Sequence, residues 1–281
     1  EFLDVPANHT PHKRVFIIGI DGIGSLPSVM KTPGIYQVIN NGIYTFQAMT
    51  VYPSFSAESW TSLLHGVSPN IHQIYTENPP KKHYPINSKY PSIFRILHEQ
   101  NSQSVMAVFS NWYFIPDYIV EDGIGVRKFC LYTEKSIIKY FDRFMKTNDP
   151  TLVFFQLDET DEIGHRYGYF TDEQSKQLVK TDKTVQKIID IIEKYDPNNE
   201  SLILILTDHG GGGLNPQMHG SADPHDMTIF WTARGKGICK NKEIKQQISI
   251  IDTAKFVASY LDLKIPETWE GENFFSNYQC K

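Results

Sequence analysis

Residues 202–220 read LILILTDHGGGGLNPQMHG, and they combine an apolar run with three residues of metal-ligating type. The unbroken run from Leu202 to Leu206 is typical of a strand that is covered on both faces, as in the parallel sheet of an α/β protein. Asp208 and His209 follow this strand directly. In open α/β sheets ligands bind at the carboxyl ends of the strands, and four consecutive glycines allow a sharp turn there. We therefore predict a ligand site at this strand end, to which His219 can return.

Two further apolar runs end on acidic residues in the same way. Residues 14–20, RVFIIGI, precede Asp21, and residues 151–157, TLVFFQL, precede the acidic stretch 158–165, DETDEIGH. Within that stretch Asp161 and His165 lie four residues apart, so a helical conformation would place both side chains on one face. An Asp and a His in this arrangement can hold one metal ion.

The remaining periodic segments complete an α/β pattern. Apolar stretches predict further strands at 43–51, 104–109 and 227–232, and amphipathic or capped segments predict helices at 33–40, 56–66, 90–100, 134–146, 171–195 and 252–263. We expect a mostly parallel central sheet with helices on both faces. Residues 1–281 are long enough for one such domain, and no segment leaves room for a large inserted cap domain.

A serine-rich segment supplies candidate nucleophiles. Residues 52–66, YPSFSAESWTSLLHG, begin with Pro-restricted backbone and continue as a helix that ends at Gly66. At the helix start, Ser56 would face free N–H groups and the positive end of the helix dipole, which favour an oxyanion or a phosphate. A serine there is more often a plain helix cap, and spacing alone leaves Ser54, Ser56 and Ser59 as alternatives.

Composition restricts the class of partner. The 281 residues carry a formal net charge of −5, which argues against binding of a nucleic-acid polymer, and no apolar run is long enough to span a membrane. We expect a monomer that acts on a small molecule. Three cysteines, Cys130, Cys239 and Cys280, allow at most one disulfide. Sequons at Asn8 and Asn199 favour, weakly, a secreted, lumenal or cell-surface glycoprotein.

Taken together, the motifs resemble those of the type I phosphodiesterase/nucleotide pyrophosphatase family of the alkaline phosphatase superfamily. The resemblance extends over nearly the whole chain and is carried by IGIDG at 18–22, PSFSA at 53–57, the Asp161/His165 pair and the stretch around Asp208. It implies an alkaline-phosphatase-like fold and a metal-bound nucleophile, Ser56, that forms a covalent intermediate. It further implies two zinc ions, with manganese as an alternative, held by two residue sets: Asp161, His165 and His219, and Asp21, Asp208, His209 and the Ser56 oxygen. Two such metals lower the pKa of a bound hydroxyl and stabilise an in-line phosphoryl transfer.

The sequence leaves several residue assignments open. His225 is a rival to His219 as the last ligand. The family's phosphate-binding Asn aligns with Glu77, or with Asn78 after a shift of one residue, and we favour Asn78 because a carboxylate would repel a phosphate. Trp112 and Tyr113 in an aromatic loop are candidates for stacking on a substrate.

We expect hydrolysis of phosphodiester or pyrophosphate bonds in nucleotide-type substrates. The alternatives are a phosphomonoesterase of the same superfamily and a catalytically silent module that binds metal for recognition. A serine hydrolase is disfavoured because no G-x-S-x-G pentapeptide occurs. A sulfatase is disfavoured because the residues after Ser56 lack the Pro and Arg of the sulfatase motif, and a phosphomutase because it usually carries a large inserted domain.

Overall fold

The computed structural model of the protein describes residues 6–79, 83–196 and 198–280. Within them, eight strands form one sheet in the order β4-β3-β5-β1-β6-β7-β2-β8. Neighbouring strands are parallel except where β7 pairs with β6 and β2. The strands are β1 Arg14–Ile20, β2 Ile43–Met49, β3 Val105–Ser110, β4 Val126–Cys130, β5 Pro150–Leu157, β6 Ser201–Leu206, β7 Thr228–Arg234 and β8 Lys242–Glu243.

Helices cover both faces of this sheet. They are α1 Pro33–Asn40, α2 Ser56–His65, α3 Pro69–His72, α4 Ile93–Gln100, α5 Glu134–Thr147, α6 Glu159–Tyr167, α7 Asp172–Tyr195, α8 Pro224–Met227 and α9 Asp252–Tyr260. Side chains alternate across β1, so Val15 and Ile17 face one apolar core, with α2, α4 and α9, whereas Phe16 and Ile18 face the other, with α1, α5 and α7. The predicted α/β architecture with a mostly parallel sheet is confirmed.

The element boundaries differ from the sequence prediction mainly at the sheet edges. The edge strand β4 was not predicted because its Arg127 and Lys128 interrupt the apolar pattern, and the two-residue β8 exists only through its pairing with β2. The helix expected from residue 90 begins at Ile93, because the Ser92 side chain accepts a hydrogen bond from the Arg95 N–H and caps it.

The three central strands bring the acidic motifs together. In the order β5-β1-β6, Ile20 is in register with Leu157 and Gly19 with Leu206, so the three strands end at one edge of the sheet. Asp21 and the segments that begin at residues 158 and 207 are therefore neighbours, as the sequence predicted.

A disulfide joins Cys239 to Cys280, and Cys130 is free and exposed. One bridge is the maximum that the three cysteines allow. Across the described residues, no helix combines the length and apolar character that a bilayer crossing requires.

Candidate metal centre and active site

Two clusters of metal-ligating side chains lie at the carboxyl edge of the sheet. The Asp161 group comprises Asp161, His165 and His219, and the Asp208 group comprises Asp21, Asp208 and His209. In each group the ligand atoms lie within 4.8 Å of one another. The two groups touch, because the rings of His209 and His219 stack with their centroids 3.7 Å apart.

Within the Asp161 group, three potential ligand atoms converge. One turn of α6 places His165 Nε2 at 3.2 Å from Asp161 Oδ2, and His219 Nε2 lies 3.2 Å from His165 Nε2. The Nδ1 atoms donate to backbone carbonyls, that of His165 to Gln217 and that of His219 to Ser54. Because carbonyls only accept hydrogen bonds, each Nδ1 carries a proton, and in the neutral form of each ring the Nε2 lone pair points towards the other ring and the carboxylate. The hydrogen bond to Asp161 raises the pKa of His165, and a cation in this position would be favoured too. A divalent cation would satisfy all three atoms.

The Asp208 group is entirely buried. His209 Nε2 lies 3.4 Å from Asp21 Oδ1 and 3.3 Å from Asp208 Oδ2, while its Nδ1 donates to the Gly210 carbonyl. Burial and the nearby Asp21 carboxylate raise the pKa of Asp208 well above its usual range. Burial lowers the pKa of His209, but Asp208 and the hydrogen bond to Asp21 more than compensate and raise it to about 10. Asp208 Oδ2 has no hydrogen-bond partner among the described residues, so the group fits a cation.

Ser56 alone of the three candidate serines reaches this centre. Its Oγ lies 3.0 Å from His209 Nε2 and 3.4 Å from Asp21 Oδ1, at the first residue of α2. Ser54 is buried and donates to the Ser221 carbonyl, and Ser59 is buried against Thr50.

Each carboxylate is held by one of its oxygens. Asp21 Oδ2 accepts hydrogen bonds from the Trp60 indole at 3.1 Å and the Gln156 amide at 2.8 Å. Asp208 Oδ1 accepts from the Gly22 N–H at 3.1 Å, and Asp161 Oδ1 from the Tyr169 hydroxyl at 2.6 Å. The other oxygen of each carboxylate faces the cluster, which is the division of labour expected of metal ligands.

The amino-acid sequence does not mark these hydrogen-bond donors. Trp60 and Gln156 occupy positions that read as core, in a helix and in a strand, and Tyr169 lies just beyond the Asp161/His165 motif without any spacing that would mark it. Pairing of a buried donor with a ligand emerges only from the fold.

A cavity of about 340 Å³ opens beside Ser56. The Asp161 group borders it, together with acidic side chains, Asp158 and Glu162, and the ring of Trp112. None of the described lining residues is a lysine or an arginine. The lining comprises Phe55, Ser56, Thr76, Trp112, Asp158, Asp161, Glu162, His165, Met218 and His219.

Residues 15–268 match the profile of the family described as type I phosphodiesterase/nucleotide pyrophosphatase. The chain belongs to this family. Membership supports a phosphodiesterase or pyrophosphatase activity, that is, a hydrolase, and it agrees with the presence of two groups that could hold metal ions.

Solved structures share the fold at low sequence identity. An inactive variant of murine ectonucleotide pyrophosphatase/phosphodiesterase 5 in complex with AMP superposes with a TM-score of 0.74 and 14% identity, covering 93% of this chain and 98% of that chain. A 2-O glycosaminoglycan sulfatase gives a TM-score of 0.71 and 12% identity, covering 94% of this chain and 74% of the sulfatase.

Among curated proteins, GPI ethanolamine phosphate transferase 1 of Candida glabrata is 25% identical over 126 residues. That match spans 45% of this chain and 13% of the transferase, so the chain corresponds to a small part of that relative.

The structure also places the residues that compete for the last metal-ligand position and for phosphate binding. His219 joins the Asp161 group, whereas the rival His225 is exposed and bonded to Asp223. Glu77 and Asn78 are exposed, and the cavity is lined by their neighbour Thr76 instead. Their role in phosphate binding stays a prediction.

The two aromatic candidates also differ in position. Trp112 lines the cavity and stacks on Phe114, with centroids 4.7 Å apart. Tyr113 is exposed, packs against Tyr118 and is not part of the lining. Stacking on a substrate therefore stays a prediction for both residues. Of the two, only Trp112 lies at the cavity where a substrate would bind.

Proposed function

We propose that this protein hydrolyses phosphodiester or pyrophosphate bonds of small, nucleotide-type substrates, with Ser56 as the nucleophile and two divalent metal ions, zinc or manganese, as cofactors. The Asp161 group would hold one ion, and the Asp208 group with the Ser56 oxygen the other. Family membership supports the reaction class.

The position of Ser56 carries the proposal. Its Oγ lies 3.0 Å from His209 Nε2 of the Asp208 group, and Ser56 also lines the cavity. The serine therefore contacts both the candidate metal ligands and the space for a substrate. Located at the first residue of α2, the hydroxyl is also next to the free N–H groups of the helix. An oxyanion or a phosphoryl oxygen at this point meets the positive end of the helix dipole.

The side chains suggest a two-step displacement. Ser56 Oγ attacks phosphorus and the bond to the leaving oxygen breaks, which gives a phosphoserine diester, or a nucleotidyl-serine when the substrate is a nucleotide. Water then attacks the same phosphorus, and the Ser56 oxygen leaves. The bound metals would lower the pKa of the Ser56 hydroxyl and neutralise charge on the attacking and leaving oxygens.

The charge of the cavity supports a diester over a monoester. Glu162 borders it without a lysine or arginine among the described lining residues, and a monoester carries one more negative charge than a diester at neutral pH. Burial and the nearby Asp21 and Asp161 carboxylates raise the pKa of Asp158, the second acidic side chain of this lining, to about 8, so it adds little charge at neutral pH. Trp112 offers an apolar surface for the second organic arm of a diester.

The Glu162 carboxylate favours a second candidate substrate, a phosphodiester whose arm ends in an ammonium group. A cation near Glu162 is attracted by this carboxylate, and Trp112 can contribute a cation–π contact. The name of the relative GPI ethanolamine phosphate transferase 1 refers to a phosphate ester of this chemistry.

Kinetics with alanine variants test the nucleophile. Ser56→Ala should keep the fold and lower kcat by roughly 10³-fold or more, because removal of a nucleophile leaves only binding and electrostatic catalysis. Ser54→Ala is the matched control, since its hydroxyl bonds to the Ser221 carbonyl away from the cluster. Loss of turnover in Ser54→Ala with an active Ser56→Ala would refute the assignment.

A panel of three nitrophenyl esters tests the substrate class: a monoester, a nucleotide diester and a phosphocholine. We expect a higher kcat/KM for at least one diester than for the monoester. A higher value for the monoester would refute the diester preference and leave the nucleophile untouched, and the ratio of the two diesters decides between a nucleotide and an ammonium arm.

We also propose passage through an oxidising, glycosylating compartment. The Cys239–Cys280 disulfide supports it, and Asn8 and Asn199 of the two sequons are exposed. These residues precede β1 and β6 and so lie towards the edge of the sheet opposite the metal groups. A glycan at either position would leave the cavity open, and a loss of mass on enzymatic glycan removal would verify its presence.

A further inference from the structure

Tyr169 connects the parts of the chain that form the Asp161 group. It follows α6, which carries Asp161 and His165, and its N–H donates to the Pro216 carbonyl in the loop that leads to His219. The side chain is almost fully buried, with 6% of its surface exposed. Tyr169 therefore contacts both chain segments that supply this group.

The hydroxyl of Tyr169 makes one short hydrogen bond, to Asp161 Oδ1 at 2.6 Å. This bond leaves Asp161 Oδ2 directed at His165 Nε2, 3.2 Å away. A carboxylate with only one oxygen engaged by the protein keeps a defined rotamer and presents the other oxygen to a cation. The hydroxyl thus selects the orientation that the ligand role needs.

The ring of Tyr169 is held between two glycines. A Cβ on Gly164 or Gly211 would lie 2.6 Å or 2.5 Å from the nearest ring atom, which is too close for any side chain. The same ring contacts His165 and His219 edge-on, with centroids 5.5 Å and 5.9 Å away. Packing restricts the ring, and the ring in turn restricts both imidazoles.

We propose that Tyr169 is a positioning residue for the Asp161 group, orienting Asp161 through its hydroxyl and the two histidines through its ring. The inference rests on the proposed function, because it assumes that this group holds a metal ion. A ring that served only to fill space would not need a hydroxyl, and phenylalanine would pack equally well.

Metal titration of the whole chain tests the proposal. The protein is stripped with a chelator, and Zn²⁺ is added in competition with a chromophoric chelator. In the wild type we expect two binding events. Tyr169→Phe should weaken one of them by about 10- to 100-fold, the range for loss of a group that orients a ligand, and leave the other unchanged. Asp161→Asn should weaken the same event and so assign it.

Tyr167→Phe is the matched control, because Tyr167 is a half-exposed tyrosine at the end of α6 and should leave both affinities unchanged. Circular dichroism and thermal unfolding of each variant establish that it folds. In addition, the kcat of Tyr169→Phe should return towards the wild-type value at saturating Zn²⁺, whereas a general loss of structure would not be restored by metal.

The outcomes separate the two proposals. Two unchanged affinities in Tyr169→Phe, with two metals bound by the wild type, overturn the role of Tyr169 and leave the proposed function intact. A wild type that binds no metal overturns the two-metal function, and the role of Tyr169 with it. Equal weakening of both events in Tyr169→Phe overturns the selective role, because it indicates a general structural effect.

Discussion

Replacement of Glu134 by glutamine should remove a pH dependence from the stability of this protein. Glu134 is the first residue of α5 and only 3% exposed, and its Oε1 accepts a hydrogen bond from the Thr181 hydroxyl at 2.6 Å. Burial raises the pKa of Glu134 from the ordinary 4.5 to about 7, and the nearby Glu159 adds to the rise, while the Thr181 hydrogen bond opposes it. The folded protein therefore favours the neutral acid.

The sign and size of the effect follow from this pKa. Between pH 4.5 and about 7 the folded chain retains a proton that the unfolded chain has released, so the free energy of unfolding falls as the pH rises through this interval. An interval of about 2.5 pH units at about 1.4 kcal/mol each corresponds to a loss of about 3.5 kcal/mol. Glutamine has no proton to release and keeps an oxygen for Thr181. Above pH 7 Glu134→Gln should thus be more stable than the wild type, by up to about 3.5 kcal/mol.

Urea unfolding near pH 5 and near pH 8, followed by circular dichroism, measures this difference. The pH-dependent change in the free energy of unfolding of the wild type, minus that of the variant, cancels the titrating groups that do not interact with Glu134, including the metal ligands. Glu267→Gln is the matched control, because Glu267 is exposed and its substitution should leave the pH dependence as in the wild type. An equal loss of stability with pH in the wild type and in Glu134→Gln would refute the reasoning.

Three further predictions concern the metal centre and the fold. Chelation should abolish turnover and lower the melting temperature, since the buried carboxylates around Asp208 would lose their compensating charge; an unchanged melting temperature would contradict this. Gly211→Ala should destabilise the protein by about 1–3 kcal/mol in urea unfolding, because its Cβ would overlap the Tyr169 ring, and a change below about 0.5 kcal/mol would contradict the packing. Substitution of Cys239 and Cys280 by serine should cost about 4 kcal/mol, the chain-entropy value for a link across 41 residues, whereas substitution of the third cysteine should have little effect.

The sequence alone predicted the sheet and the place of the candidate site. Unbroken apolar runs ending in Asp21, in the acidic stretch before Asp161 and in Asp208 indicated buried parallel strands. Parallel strands present their carboxyl ends at one edge of a sheet, so the three acidic motifs were expected at that edge. Their contact also depends on the order β5-β1-β6, which the tertiary structure sets. Local chain geometry was also sufficient to predict that adjacent residues lie close together, and that residues one helical turn apart, such as Asp161 and His165, share one helix face.

The tertiary structure decided which side chains face the cluster. Ser54, Ser56 and Ser59 are equivalent by spacing, and only the packing of α2 on the sheet turns Ser56 towards His209. His219 and His225 both follow the glycine run, but the loop directs only His219 to Asp161 and His165.

The roles of the glycines, and of the residues that donate hydrogen bonds to the carboxylates, likewise could not be predicted from the sequence. Gly210 to Gly213 suggested a sharp turn that needs glycine for its backbone freedom, yet only Gly212, with φ of +79°, adopts the left-handed conformation. Gly211 is instead required because the Tyr169 ring packs against it. Strand and helix formation follow from the local pattern of apolar residues, whereas the direction of a loop side chain depends on contacts with residues far away in the chain. That is why the sequence determined the edge at which the site lies, and only the fold determined Tyr169, Trp60 and Gln156 as the groups that hold its carboxylates.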